Sequence, residues 1–69
     1  MRFDIYGRYR LEVIRKEESW VVYRLDDTKR RIEPDLIIPS SVEGQKIQTY
    51  LDDLLHELAR PGVTIRRLD

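Results

Sequence analysis

From Phe3 to Val13 every second residue is apolar or glycine, and apart from Tyr6 the residues between them are charged. A period of two held over that length commits the segment to strand structure with one buried face. The phase carries through Gly7 unbroken, which predicts one long strand over 3–15 with Gly7 at a bend or bulge. A hairpin reversing at Gly7 is the competing reading, and the continuous phase argues against it.

Lys16, Glu17, Glu18 and Ser19 read as a turn, and residues 20–25 as the next strand. Pairing Val13 with Val21 sets Leu11 against Tyr23 and Tyr9 against Leu25, a wholly apolar inner face. The outer face then pairs Ile14 with Trp20, Glu12 with Val22 and Arg10 with Arg24. An offset of one residue would place Arg15 and Arg24 inside, so the apolar inner face favours the first register. That register needs an odd loop, and no glycine or asparagine is present to ease it.

Asp26, Asp27 and Thr28 read as a second turn leading to a short edge strand over 29–32. Pro34 and Pro39 bracket Leu36, Ile37 and Ile38, which anchor a connecting segment. Ser40 and Glu43 have the spacing of a capping box, although Gly44 weakens that start. From there to Arg60, Ile47, Tyr50, Leu51, Leu54, Leu55 and Leu58 fall in one arc of roughly 140° on a helix. Pro61 and Gly62 end it. Val63 and Ile65 then alternate with Thr64 and Arg66 in a short last strand. The pattern predicts one α+β domain over 1–69. Its antiparallel sheet has three to four strands in the order β-β-(β)-α-β, with one amphipathic helix packed on one face.

The chain has 69 residues and no cysteine, so neither a disulfide framework nor a thiolate metal site supports the fold. A core of this size supplies only ~3–5 kcal/mol of net stability. Close packing or self-association is therefore expected. The start, Met1, Arg2, Phe3 and Asp4, does not lead into a signal-peptide run, and no stretch reaches the ~18 apolar residues of a membrane span. With no cysteine, this predicts a soluble cytoplasmic protein without a membrane role.

Thirteen basic and thirteen acidic residues balance, unlike the basic excess of a dedicated duplex binder. They are nonetheless sorted: residues 1–34 carry a net +2 and residues 35–60 a net −3. A mildly basic sheet against an acidic helix is expected.

Candidate chemistry is sparse. His56, the single histidine, points away from the leucine stripe, with Asp52 at i−4 and Asp53 at i−3. Asp52 and His56 together offer two metal ligands, but Arg60 stands where the zinc motif has its second histidine. A solvated face with i,i+4 pairs is the preferred reading. The pairs Glu17-Glu18, Asp26-Asp27 and Asp52-Asp53 lack the cleft that acid–base catalysis requires. Ser19, Ser40 and Ser41 lack a nucleophile-elbow context. Gly7, Gly44 and Gly62 are too scattered to cradle phosphate. No cofactor, metal or small-molecule ligand is implied, and an enzyme is not expected.

In the favoured register the sheet face away from the helix carries Tyr6, Ile14, Trp20 and Val22, ringed by Arg8, Arg10 and Arg24. That composition suits an interaction surface for a protein partner or a second copy in a homodimer. The alternative is weak stacking of single-stranded nucleic acid on Trp20 and Tyr6, with Arg8, Arg10 and Arg24 on phosphates. The balanced charge and Glu12 within the patch oppose it. A one-residue shift would instead turn Trp20 into the core.

The opening Phe3-Asp4-Ile5-Tyr6-Gly7-Arg8, the Ile37-Ile38-Pro39 step and residues 50–59 (Tyr50-Leu51-Asp52-Asp53-Leu54-Leu55-His56-Glu57-Leu58-Ala59) resemble a group of small bacterial proteins of unknown function. The resemblance spans nearly the whole chain. It implies a stand-alone bacterial domain and supplies no catalytic or binding residue.

Overall fold

The computed structural model describes all of residues 1–69. Its first strand, β1 (Arg2–Ile5), ends at Ile5 and the second, β2, runs Tyr9–Lys16. Tyr6 and Gly7 both take positive φ, 53° and 72°, and the Arg8 N–H donates to the Ile5 carbonyl at 2.9 Å. Two successive residues in that region reverse the chain as a type I′ turn does. The single strand over 3–15 is therefore corrected to a hairpin. Ile5 pairs with Tyr9 across a three-residue loop. Three is odd, so residues of one parity stay on one face through the reversal. The phase that argued against a turn is what an odd loop preserves.

The next hairpin departs from expectation in the opposite sense. β3 (Ser19–Leu25) pairs with β2 so that Val13 meets Val22 and Lys16 meets Ser19. Its loop is Glu17 and Glu18 alone, at φ 50° and 66°. The expected Val13–Val21 register is thus off by one, and β3 shows its other face to the core. Val22 is buried and Trp20 lies on the same inner side. Arg15 and Arg24 are also turned inward, yet neither is stranded. Arg15 stacks 4.9 Å from the Trp20 ring centre and Arg24 4.1 Å from that of Tyr9. A guanidinium over an aromatic face keeps its charge at the sheet margin while its stem covers apolar surface.

β4 (Arg30–Ile32) pairs antiparallel with β3, and β5 (Arg66–Arg67) with β1. The sheet order is β4-β3-β2-β1-β5, five strands rather than three to four, with the helix between β4 and β5 in sequence. The class is α+β as expected, with the order β-β-β-β-α-β.

Regular helix is shorter than the stripe suggested. A 3₁₀ turn, Gly44–Lys46, leads into α1 (Ile47–Leu55), and a second, His56–Leu58, follows it. Glu43 caps without a side-chain bond, so the Ser40–Glu43 capping box is not formed. The Ser40 carbonyl instead accepts from Arg15 Nη1 at 2.9 Å. Ile47 and Leu51 are buried against Phe3, Ile5, Tyr6, Leu11, Val13, Val22, Ile38 and Ile65. Tyr50, Leu55 and Leu58 flank that core, while Leu54 is exposed. In the connecting segment Ile38 is buried and Leu36 partly so, but Ile37 is 77% exposed.

Two consequences are measurable. Left-handed backbone costs an L-residue roughly 1–2 kcal/mol, and glycine or asparagine is favoured at such turn positions. Replacing Glu17→Asn together with Glu18→Gly should raise Tm by on the order of 4–8 °C per kcal/mol gained in thermal denaturation. An unchanged or lowered Tm would contradict the strained turn. Trp20 packs against Gly44 and donates its indole N–H to the Val42 carbonyl at 2.8 Å. Trp20→Ala should cost about 3–5 kcal/mol and largely unfold the domain by circular dichroism. Trp20→Phe should stay folded with a smaller loss.

Candidate functional site

The helix covers one face of the sheet and leaves the other open. Strand alternation and register place the outer residues in rows across the strands. One row runs Arg2, Glu12, Tyr23, Ile32; the next runs Arg66, Asp4, Arg10, Leu25, Arg30; Ile14 and Val21 make a third pair. Ile14, Val21, Tyr23 and Leu25 are half-buried and Ile32 is 64% exposed. Five apolar side chains therefore form one patch over β2, β3 and β4. Charged side chains of Arg2, Glu12, Arg10 and Arg30 rim this apolar group.

Glu12 sits inside this face with its side chain only 15% exposed. Arg30 Nη1 donates to one of its oxygens at 2.9 Å and Arg2 Nε approaches the other at 3.4 Å. The Arg30 bond, then the Arg2 bond, hold the Glu12 carboxyl below its usual range against the opposing pull of desolvation. Arg30 also lies 4.4 Å over the Tyr23 ring centre. The one acid in the middle of the patch is thus neutralised, and the ring beside it is covered by a cation.

Of the seven residues expected on this surface, only Arg10 and Ile14 are there. Val22 and Trp20 face the helix, because the two-residue loop reverses the parity of β3. Arg24 lies inward over Tyr9. Tyr6 and Arg8 belong to the first turn rather than a strand, so parity does not govern them. Tyr6 is buried, its hydroxyl donates to Asp52 on α1, and Arg8 Nε donates to the Leu58 carbonyl at 3.2 Å. Of the residues missed, Val21, Tyr23 and Leu25 follow from the register once the turn is known to hold two residues, and Ile32 from its pairing with Tyr23.

A second feature lies on the helix side. A cleft of about 530 Å³ opens between α1 and the segment before β5, lined among others by Tyr6, Gln48, Thr49, Asp52, His56 and Thr64. His56 Nδ1 is 3.0 Å from the Asp53 carbonyl, which turns the ring back along its own helix. Burial first, then the bond to Asp52 and the charges of Asp52 and Asp53, push the Tyr6 phenol up to about 12. It keeps its proton at neutral pH and works as a tether between turn and helix. Gln48 Nε2 donates to the Ile65 carbonyl at 2.9 Å, a further tether. No three histidine, aspartate or glutamate side chains converge as a metal site does. No helix is long and apolar enough to cross a membrane.

A family model described as Domain of unknown function (DUF7661) matches residues 1–69. Comparison with curated proteins and with solved structures finds no match.

A carboxyl held below its ordinary range stabilises the fold above that range, and the contribution is lost as pH falls through the lowered folded value. Glu12→Gln should therefore be less stable than the parent at pH 7, and the two should converge as both carboxyl states protonate. Urea denaturation at neutral and at acidic pH measures this. A difference that persists undiminished in acid would show that the ion pairs are not its source.

Proposed function

The chain belongs to Domain of unknown function (DUF7661), which carries no activity to inherit, and we propose that it is a binding module rather than an enzyme, acting by protein–protein contact through the outer face of its sheet. One observation carries the reading. Ile32 is the most exposed member of an apolar patch that includes Ile14, Val21, Tyr23 and Leu25, on a face the helix leaves uncovered. In so small a domain, apolar area withheld from the core has a cost in stability that a partner on the open face would offset. The occupant is a second copy or another protein. The cysteine-free composition and the resemblance to small bacterial proteins support a bacterial cytoplasmic setting.

Single-stranded nucleic acid is the lesser reading. Bases stack on open aromatic faces, and the rings on this sheet carry guanidinium groups: Arg15 on Trp20, Arg24 on Tyr9 and Arg30 on Tyr23. Arg2 and Arg30 are further engaged by Glu12, which leaves fewer cations for phosphate.

Photo-crosslinking in the producing cells tests the proposal. A photoreactive amino acid in place of Ile32 should give discrete protein adducts. The same group in place of Leu54 (45% exposed) or Ile37, both exposed but off the face, should give few. Equal adducts from all three positions, or none from Ile32, would remove the outer face as the site.

A further inference from the structure

We infer that the occupant of this face is an amphipathic helix with acidic polar positions, and not a second copy of the chain; the inference rests on the outer-face reading above. Charge is the first reason. The strand positions of the outer face hold Arg2, Arg10, Lys16, Arg30 and Arg66 against Asp4 and Glu12. With Lys29, Asp26 and Asp27 of the bordering turn, the face carries a net +2 on a chain whose total is zero. Both strand acids are already engaged, Glu12 by Arg2 and Arg30 and Asp4 by Arg66 at 3.8 Å. Arg10 and Lys16 make no ion pair within the chain. Two copies set face to face would appose like charge, which selects against that pairing. The chain's own acidic helix offers no free row of anchors, since Ile47 and Leu51 are buried in its core. An acidic surface meets complementary cations instead.

Edge pairing of copies is opposed as well. Glu33 N–H donates to the Val22 carbonyl and Asp26 N–H to the Lys29 carbonyl, so Arg31 is the β4 residue bonded to β3. The backbone groups of Arg30 and Ile32 face outward. An antiparallel copy that used them would centre on Arg31 and set it against its own copy. The other edge, β5, is Arg66 and Arg67. Charged edges of this kind resist strand addition.

Shape selects a helix among acidic partners. Val21, Tyr23 and Leu25 run along β3 over roughly 14 Å, with Ile14 and Ile32 on the strands to either side. Anchors at i, i+3, i+4 and i+7 on a helix span about 10 Å and fit that length. Acidic residues flanking the anchors then reach Arg10 and Lys16 on the adjacent strand β2.

The test is an amide NMR titration of the full 69-residue chain. The probes are a helical peptide of about 16 residues with leucine at those anchor spacings and glutamate elsewhere, the same peptide with lysine for glutamate, and oligothymidine. The glutamate peptide should shift Val21, Tyr23 and Ile32. It should bind at least about tenfold tighter than the lysine peptide and weaken several-fold as salt rises from about 50 to about 300 mM. Arg10→Glu and Lys16→Glu, each at an exposed position, should each weaken it similarly while the spectrum stays folded. Equal binding of the lysine peptide at the same residues would overturn the acidic partner yet keep the face. Concentration-dependent shifts there without peptide would make the occupant a second copy. Tighter binding of oligothymidine would make it nucleic acid. Shifts confined to the Thr49 and His56 cleft, or no binding by any probe, would defeat both the partner and the face.

Discussion

The two-residue turn at Glu17 and Glu18 determines what each side of this protein is made of. A strand alternates its side chains, so one residue more or less in the loop exchanges the faces of β3 as a block. With two residues, Val22 and Trp20 join the core, while Val21, Tyr23 and Leu25 face outward. With three, the assignment would invert. Both glutamates hold positive φ to make that length work, although neither side chain favours it. In this register Trp20 also donates its indole N–H to the Val42 carbonyl and carries the Arg15 guanidinium on its ring, tertiary contacts that accompany the unfavourable turn backbone.

The same register forces arginine toward the core side, and the structure resolves this with aromatic neighbours. Arg15 over Trp20 and Arg24 over Tyr9 leave both charges at the margin. Each ring is then shielded on one face by a cation rather than by a further apolar residue. The first turn is secured by a different device. Tyr6 reaches Asp52 and Arg8 reaches the Leu58 carbonyl, which fixes the β1–β2 hairpin to both ends of the helical segment's second half. Tyr6 thereby contributes apolar burial through its ring and a polar tether through its hydroxyl.

Much of this was legible in the residues. The alternation of Phe3, Ile5, Tyr9, Leu11 and Val13 identified a buried face correctly, and the stripe through Ile47 and Leu51 identified what covers it. The edge strand near Arg30–Ile32 and the turn before it were also readable. What was not legible was where the chain reverses. Parity is blind to a three-residue loop, so the Gly7 hairpin left no trace in the pattern. The Glu17-Glu18 turn carried no glycine or asparagine to announce a type I′ geometry. Preferring an uncharged inner face then gave the wrong register, because stacking of guanidinium on aromatic rings is a tertiary solution that alternation does not encode. The candidate surface inherited that error: Arg10 and Ile14, on β2, were placed on the correct face, and Trp20 and Val22, on β3, were not.

Charge sorting, by contrast, was visible early and gains meaning only from the topology. A balanced composition suggests a neutral protein, yet the chain places five cations and two anions on one sheet face. Residues 35–60, which precede and build the helix, are net −3 because they hold two cations against five acids. Attraction between oppositely charged sides of one small domain contributes little to stability, since solvent screens it over about 10 Å. Its effect lies in orientation: an approaching molecule meets a basic face with an apolar centre on one side and an acidic helix on the other. The residues that fold the domain and those that would meet a partner lie on opposite faces of the same strands. Substitutions on the outer face therefore leave the core beneath the helix intact, which is the separation a binding reading of this surface requires.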